Sequence, residues 1–186
     1  MQYIIVGIGG QGILFAGKVL GAVALEKKQR VTGSEVHGMA QRGGSVISHF
    51  KTGDFISPLV RAGEADVLLA FDQNEGIRNL HFLREGGAFV VNVHDRSAFD
   101  NLKLKEFLEE RRISLFPLEG YSLLKEHMGG NFLFLNVLLM GAMSGAGVGA
   151  PSLEDTAAAV KTLSPAKFED ANMKVLKLGY EAVVKK

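Results

Sequence analysis

The first seventeen residues, MQYIIVGIGGQGILFAG, restrict the possible folds more than any other stretch of the chain. An apolar run from Tyr3 to Val6 passes into Gly7-Ile8-Gly9-Gly10-Gln11-Gly12 and then into a helical pattern opening at Ile13-Leu14. Strand, glycine turn and helix in that order begin a nucleotide-type α/β fold. Glycine is needed there because the backbone must bend sharply, lie close to whatever faces it, and let the helix pack on the strand. N–H groups at the helix start, with the helix dipole behind them, form an anion site. Gly7, Gly9, Gly10, Gln11 and Gly12 are therefore candidate cofactor-facing residues.

Farther along, short apolar runs alternate with helical patterns. The patterning predicts strands at Gln2–Val6, Arg30–Thr32, Ser45–Lys51, Asp66–Phe71, Ala88–Val93 and Ser114–Leu118. Val67–Phe71 and Ala88–Val91 are apolar throughout, as parallel strands covered on both faces should be, whereas Ser45–Lys51 alternates imperfectly and suits a place nearer the sheet edge. Helices are predicted at Gly12–Lys27, Gln73–Leu83, Leu102–Arg111, Tyr121–His127, Phe132–Met143, Ser152–Thr162 and Pro165–Val184. Ser164 is placed to cap the last of these, Pro165 to open it, and Lys185-Lys186 to favour its negative end. The loop Gly33–Gly44 is long for a strand-to-helix connection, and long loops carry function. The expected architecture is a three-layer α/β domain over residues 1–186, with a mostly parallel, Rossmann-like sheet and a helical C-terminal third.

Composition narrows the function classes. The chain has 186 residues, 21 basic and 20 acidic, for a net charge of +1, so neither a nucleic-acid binder nor a polybasic membrane arm is expected. With no cysteine it holds no disulfide, no thiolate-bound zinc and no cysteine-ligated iron–sulfur cluster, and it has no cysteine nucleophile. The first strand begins at residue 2, which leaves no room for a signal peptide, and a cytoplasmic setting is expected. Met128–Leu153 carries no charge, but its dense apolar part, Phe132–Met143, is too short to span about 30 Å of hydrocarbon and reads as a buried core helix. Asn136 inside it must find a partner or cost about 1–3 kcal/mol.

Three other patterns lead elsewhere. Gly12-x-x-x-x-Gly17-Lys18 has the spacing of a phosphate loop, yet Val19 stands where a hydroxyl should hold Mg²⁺. Gly17 and Gly21 then read as contacts for close helix packing, with Lys18 solvated. A dinucleotide fold would end its second strand on an acidic residue, where this chain has Thr32, with Glu35 three positions late and Gln11 in the middle of the turn. The histidines, His37, His49, His81, His94 and His127, show no metal-binding spacing.

The segment Ser34-Glu35-Val36-His37-Gly38-Met39-Ala40-Gln41-Arg42-Gly43-Gly44-Ser45-Val46 is the most specific in the chain. Together with Gly7–Gly12, Ser57-Pro58-Leu59, Gly63-Glu64-Ala65-Asp66 and the later Gly130-Asn131, Asn136 and Leu139-Met140-Gly141, it closely resembles the small subunit of 2-oxoacid:ferredoxin oxidoreductases. Its long SEVHGMAQRGGSV form looks most like the beta subunit of indolepyruvate:ferredoxin oxidoreductase. The resemblance implies oxidative decarboxylation of a 2-oxoacid with coenzyme A as co-substrate, giving acyl-CoA, carbon dioxide and reduced ferredoxin. Thiamine diphosphate, Mg²⁺ and iron–sulfur clusters would then sit on a large partner subunit, through which ferredoxin is also reached. This chain would bind no cofactor and be inactive alone. Its substrates would be indolepyruvate and related aryl pyruvates, with 2-oxoglutarate, pyruvate and branched-chain 2-oxoacids as alternatives. From other classes, an NAD(P)-binding reductase and a small-molecule-binding regulatory domain compete. Arg42-Gly43-Gly44 sets a fork-shaped cation on backbone that can approach closely, which suits a phosphate or carboxylate as well as it suits a turn with a solvated charge. With the resemblance, Arg42, Gly43 and Gly44 join the candidate site, either in a coenzyme A channel or at the subunit interface.

Overall fold

The computed structural model describes residues 1–38, 43–148 and 151–184. Strand β1 (Gln2–Ile8) runs through the glycine turn into helix α1 (Ile13–Glu26), followed by β2 (Val31–His37), β3 (Ser45–Thr52) and β4 (Ala65–Ala70). Then come α2 (Gln73–Arg78), β5 (Leu83–Asn92), α3 (Leu102–Glu110) and β6 (Ser114–Leu118). The helices α4 (Gly120–Met128), α5 (Leu135–Ala146), α6 (Leu153–Leu163) and α7 (Glu169–Val184) complete the described chain. The strands form one sheet in the order β2-β3-β1-β4-β5-β6. β1, β4, β5 and β6 are parallel, and β3 is antiparallel to both β1 and β2.

Alternation along the strands sorts the core into two layers on either side of the sheet. Tyr3, Ile5, Val67, Leu69 and Val90 pack with Ala16, Val19 and Leu20 of α1 and with the apolar faces of α5, α6 and α7. Ile4, Val6, Leu68, Ala70, Phe89 and Val91 pack on the other side, against Leu104 and Leu108 of α3 and against Val60 and Leu80. The expected three-layer α/β architecture with a mostly parallel sheet and a helical C-terminal third is what the chain adopts. α5 is the buried core helix that the uncharged stretch predicts, with Leu138, Leu139 and Met140 fully shielded. No helix among the described residues is long and apolar enough to cross a membrane.

Several sequence expectations are corrected in detail. The polar stretch Gly33–His37 is strand, not loop: it continues β2, whose residues are mostly solvent-exposed because it is the sheet's edge. Residues 38–44 therefore join two antiparallel strands rather than a strand and a helix. Gln73–Leu83 divides into α2 and a 3-10 turn at Leu80–Phe82, after which β5 has already begun at Leu83. Ser164 does not cap the last helix. Its hydroxyl accepts from Asn172 Nδ2 at 2.8 Å, Pro165 precedes a 3-10 turn, and α7 starts at Glu169. Lys185 and Lys186 lie outside the described residues. Gly17 and Gly21 mediate no close helix packing either: a Cβ on Gly17 would meet nothing within 4 Å, and one on Gly21 only the Phe50 ring edge at 3.9 Å. That role belongs to Gly141 and Gly179, where a Cβ would fall 2.0 Å from the Leu176 carbonyl and 1.9 Å from the Leu138 carbonyl, and so α5 and α7 touch backbone to backbone.

Candidate functional site

From β1 the chain leaves through α1 toward β2 and β3, and from β4 it leaves through α2 toward β5 on the opposite side. The carboxyl ends of β1 and β4 thus flank the point where the winding reverses, the usual place for a ligand in an open α/β sheet. The glycine turn sits there. Gln11 turns inward and occupies much of that crevice: its Oε1 accepts from the Ile8 N–H at 2.7 Å, and its Nε2 donates to the Tyr121 hydroxyl at 3.2 Å and the Phe71 carbonyl at 3.4 Å. Asn92, fully buried at the end of β5, donates to the same Phe71 carbonyl at 3.1 Å and accepts from the Gly120 N–H at 2.9 Å. A dinucleotide laid across the switch point would have to displace this lattice. β1 also lacks the parallel second strand of a dinucleotide fold, since its neighbour on that side is the antiparallel β3.

Three glycines of the turn are required by its geometry. A Cβ on Gly7 would stand 2.6 Å from Gln11 Oε1 and 2.9 Å from Phe71 Cβ, so Gly7 lets Gln11 fold in. Gly10 and Gly12 have φ of 104° and 86°, the left-handed region that L side chains rarely adopt. The Gly9 N–H donates to the Gly44 carbonyl at 2.9 Å, which joins the glycine turn to the Arg42-Gly43-Gly44 segment. With Gln11 N–H donating to Ile8, the turn keeps the amides of Gly10 and Gly12 without a partner among the described residues. Gly43 is exposed, with φ 78°. Arg42 lies outside the described residues.

Concave surfaces open on both sides of the turn. One, of about 490 Å³, is walled by Gly10, Gln11, Gly12, Tyr121, Phe132 and Asn136. The other, of about 570 Å³, lies between Gly9, Gly10, Leu14, His37 and Gly38. Asn136 satisfies its Oδ1 locally, accepting from the Val137 N–H at 2.8 Å, while its Nδ2 packs against Gly12. Leu14, Phe132 and Leu133 rim these concavities and are 46 %, 51 % and 77 % exposed. Sequence reasoning missed Tyr121, Asn92 and the Phe71 carbonyl. Asn92 gave a signal, as the one polar side chain in the otherwise apolar run Ala88–Val93, and Tyr121 gave none. The histidines stay apart, with His37 3.3 Å from Glu35 on β2 and His49 buried on β3.

The nucleotide-type turn is thus filled by its own glutamine and hydrogen-bonded to a second glycine-rich segment, rather than left open as a dinucleotide site would be. The chain belongs to the pyruvate ferredoxin/flavodoxin oxidoreductase family, whose model matches residues 2–182. It is 34 % identical to the indolepyruvate oxidoreductase subunit IorB of Pyrococcus horikoshii, over 96 % of this chain and 94 % of that one. It is 26 % identical to the 2-oxoglutarate synthase subunit KorC of Methanothermobacter marburgensis, over 97 % and 95 %. Its fold matches the crystal structure of the keto/oxoacid ferredoxin oxidoreductase gamma subunit from Geobacter sulfurreducens with a TM-score of 0.75, covering 100 % of this chain and 99 % of that one at 23 % identity.

Proposed function

We propose that the chain is the small, accessory subunit of a thiamine-diphosphate-dependent 2-oxoacid:ferredoxin oxidoreductase acting on indolepyruvate and related aryl pyruvates. In that reaction the 2-oxoacid loses carbon dioxide, its acyl group passes to coenzyme A, and the electrons released go to ferredoxin. This chain has no cysteine to ligate a cluster and lacks the Gly-Asp-Gly…Asn-Asn pattern that holds thiamine diphosphate through Mg²⁺, so thiamine diphosphate, Mg²⁺ and the iron–sulfur clusters are assigned to a large partner subunit. The substrate class follows the long SEVHGMAQRGGSV motif and the relatives named for indolepyruvate. 2-Oxoglutarate, for which KorC is named, is the alternative.

The observation that supports the reading is the Gly9–Gly44 hydrogen bond, which joins the glycine turn to the start of β3 beside the second motif. The proposed site comprises Gly7, Gly9, Gly10, Gln11 and Gly12 of the glycine turn with Arg42, Gly43 and Gly44 of the second motif. Backbone N–H groups and a guanidinium suit a phosphate or carboxylate, presented either by coenzyme A or by the large subunit. Arg42→Ala in the assembled enzyme tests this. Loss of a charge-assisted bond costs about 1.5–3 kcal/mol, roughly ten- to a hundred-fold in binding. A raised KM for coenzyme A at unchanged assembly identifies the co-substrate, and weaker, more salt-sensitive assembly identifies the partner. Arg42→Lys rescues only partly, because a point charge does not copy the planar fork. Unchanged assembly and kinetics in Arg42→Ala would remove Arg42 from the site.

A further inference from the structure

Glu75 is the one carboxylate among the described residues that folding buries, at 6 % exposed. Removing a carboxylate from water is costly unless its oxygens are well met, and an apolar or amide residue on α2 would fill the space more cheaply. Its partners show what the charge is kept for. Oε2 accepts from the Ser45 hydroxyl at 2.6 Å, and Oε1 accepts from Arg78 Nη1 at 2.8 Å. The residue is held from both sides: its N–H donates to the capping carboxylate of Asp72 at 3.1 Å, and its carbonyl accepts from Asn79 Nδ2 at 2.8 Å. Ser45 opens β3 directly after Gly44 and lies opposite Ile8 in the sheet register. The Gly44 carbonyl in turn receives the Gly9 N–H. A continuous chain of contacts therefore runs from α2 through Glu75, Ser45 and Gly44 to Gly9.

We propose that Glu75 is the positioning residue of the glycine crevice: by clamping Ser45 it fixes the Gly44 carbonyl on Gly9 and so sets the spacing between the two glycine motifs. The inference rests on the reading of that crevice as the anion site of the assembled enzyme. A carboxylate suits the role because both oxygens accept and neither donates. A glutamine in its place could still donate to the Ser45 hydroxyl and accept from Arg78, whereas an apolar residue would do neither.

Amide hydrogen exchange of the ¹⁵N-labelled full chain reads the clamp directly, without reference to activity. In Glu75→Leu and in Ser45→Ala, exchange of the Gly9 amide rises about ten-fold or more while the Leu69 and Val90 amides of the central strands hold their protection. Ser45→Thr, which keeps the hydroxyl, restores Gly9. Unmoved Gly9 exchange, or a rise in step with Leu69 and Val90, overturns the proposal, since the second would mean that Glu75 only supports the whole fold. The same variants in the assembled enzyme separate the two claims. Looser Gly9 with a raised KM for coenzyme A or weaker assembly, at unchanged kcat, supports both. Looser Gly9 with KM and assembly unchanged leaves Glu75 as the clamp and overturns the anion-site reading.

Discussion

Gln11 shows at the scale of one residue how this turn departs from a nucleotide site. Its amide replaces a ligand's polar atoms, meeting Ile8, Phe71 and Tyr121 at once. Gln11→Ala leaves the Ile8 N–H unpaired at the strand end, so calorimetry should show a loss of about 1–3 kcal/mol. Tyr121→Phe should cost less, because Gln11 Nε2 still reaches the Phe71 carbonyl. Equal losses in the two would contradict this division of roles. His49 makes a second residue-scale prediction. Burial, and then the neighbouring Lys51, hold its pKa below the usual 6.5, and its Nδ1 accepts from the Val60 N–H at 3.2 Å, so the folded chain keeps the ring neutral. The unfolded chain takes up a proton first as pH falls, so His49 makes stability drop from about pH 6.5 downward until its folded-state pKa is passed. Melting temperatures of the wild type should fall more steeply than those of His49→Asn over that interval. Parallel slopes would contradict the assignment.

At the scale of elements, α5 and α7 are held by glycines that sequence reasoning credited to the wrong helix. Gly179→Ala forces a Cβ into the Leu138 carbonyl and should cost about 3 kcal/mol or more, as overpacking against rigid backbone does. Gly17→Ala, in open space on α1, should instead stabilise by about 0.5–1 kcal/mol. Opposite signs in thermal melts confirm this, and like signs would contradict it. Which helices and strands exist was legible from the sequence, because apolar runs and helical spacing follow directly from burial on two faces of a sheet. β2 was cut short because an edge strand exposed to water needs no apolar alternation, so Gly33–His37 looked like loop. The glycine floor was legible, since a sharp turn with positive φ at Gly10 and Gly12 demands glycine. The inward direction of Gln11 and the burial of Glu75 were not, because each depends on neighbours far along the chain, at Phe71, Tyr121 and Ser45.

For the whole molecule, the glycine crevice and its exposed apolar rim of Leu14, Phe132 and Leu133 lie at the same end of the sheet. Apolar side chains exposed around a polar crevice fit the proposed contact with a partner subunit. On the proposed function, this chain turns over substrate only in complex with a larger partner subunit. The most direct test is to express it alone and together with its large subunit, and to follow reduction of a viologen dye by aryl pyruvates in the presence of coenzyme A. The expected result is no reduction and no bound iron or thiamine with this chain alone, and indolepyruvate-dependent reduction from the co-purified complex. Turnover by this chain alone, or a large subunit equally active without it, would contradict the claim.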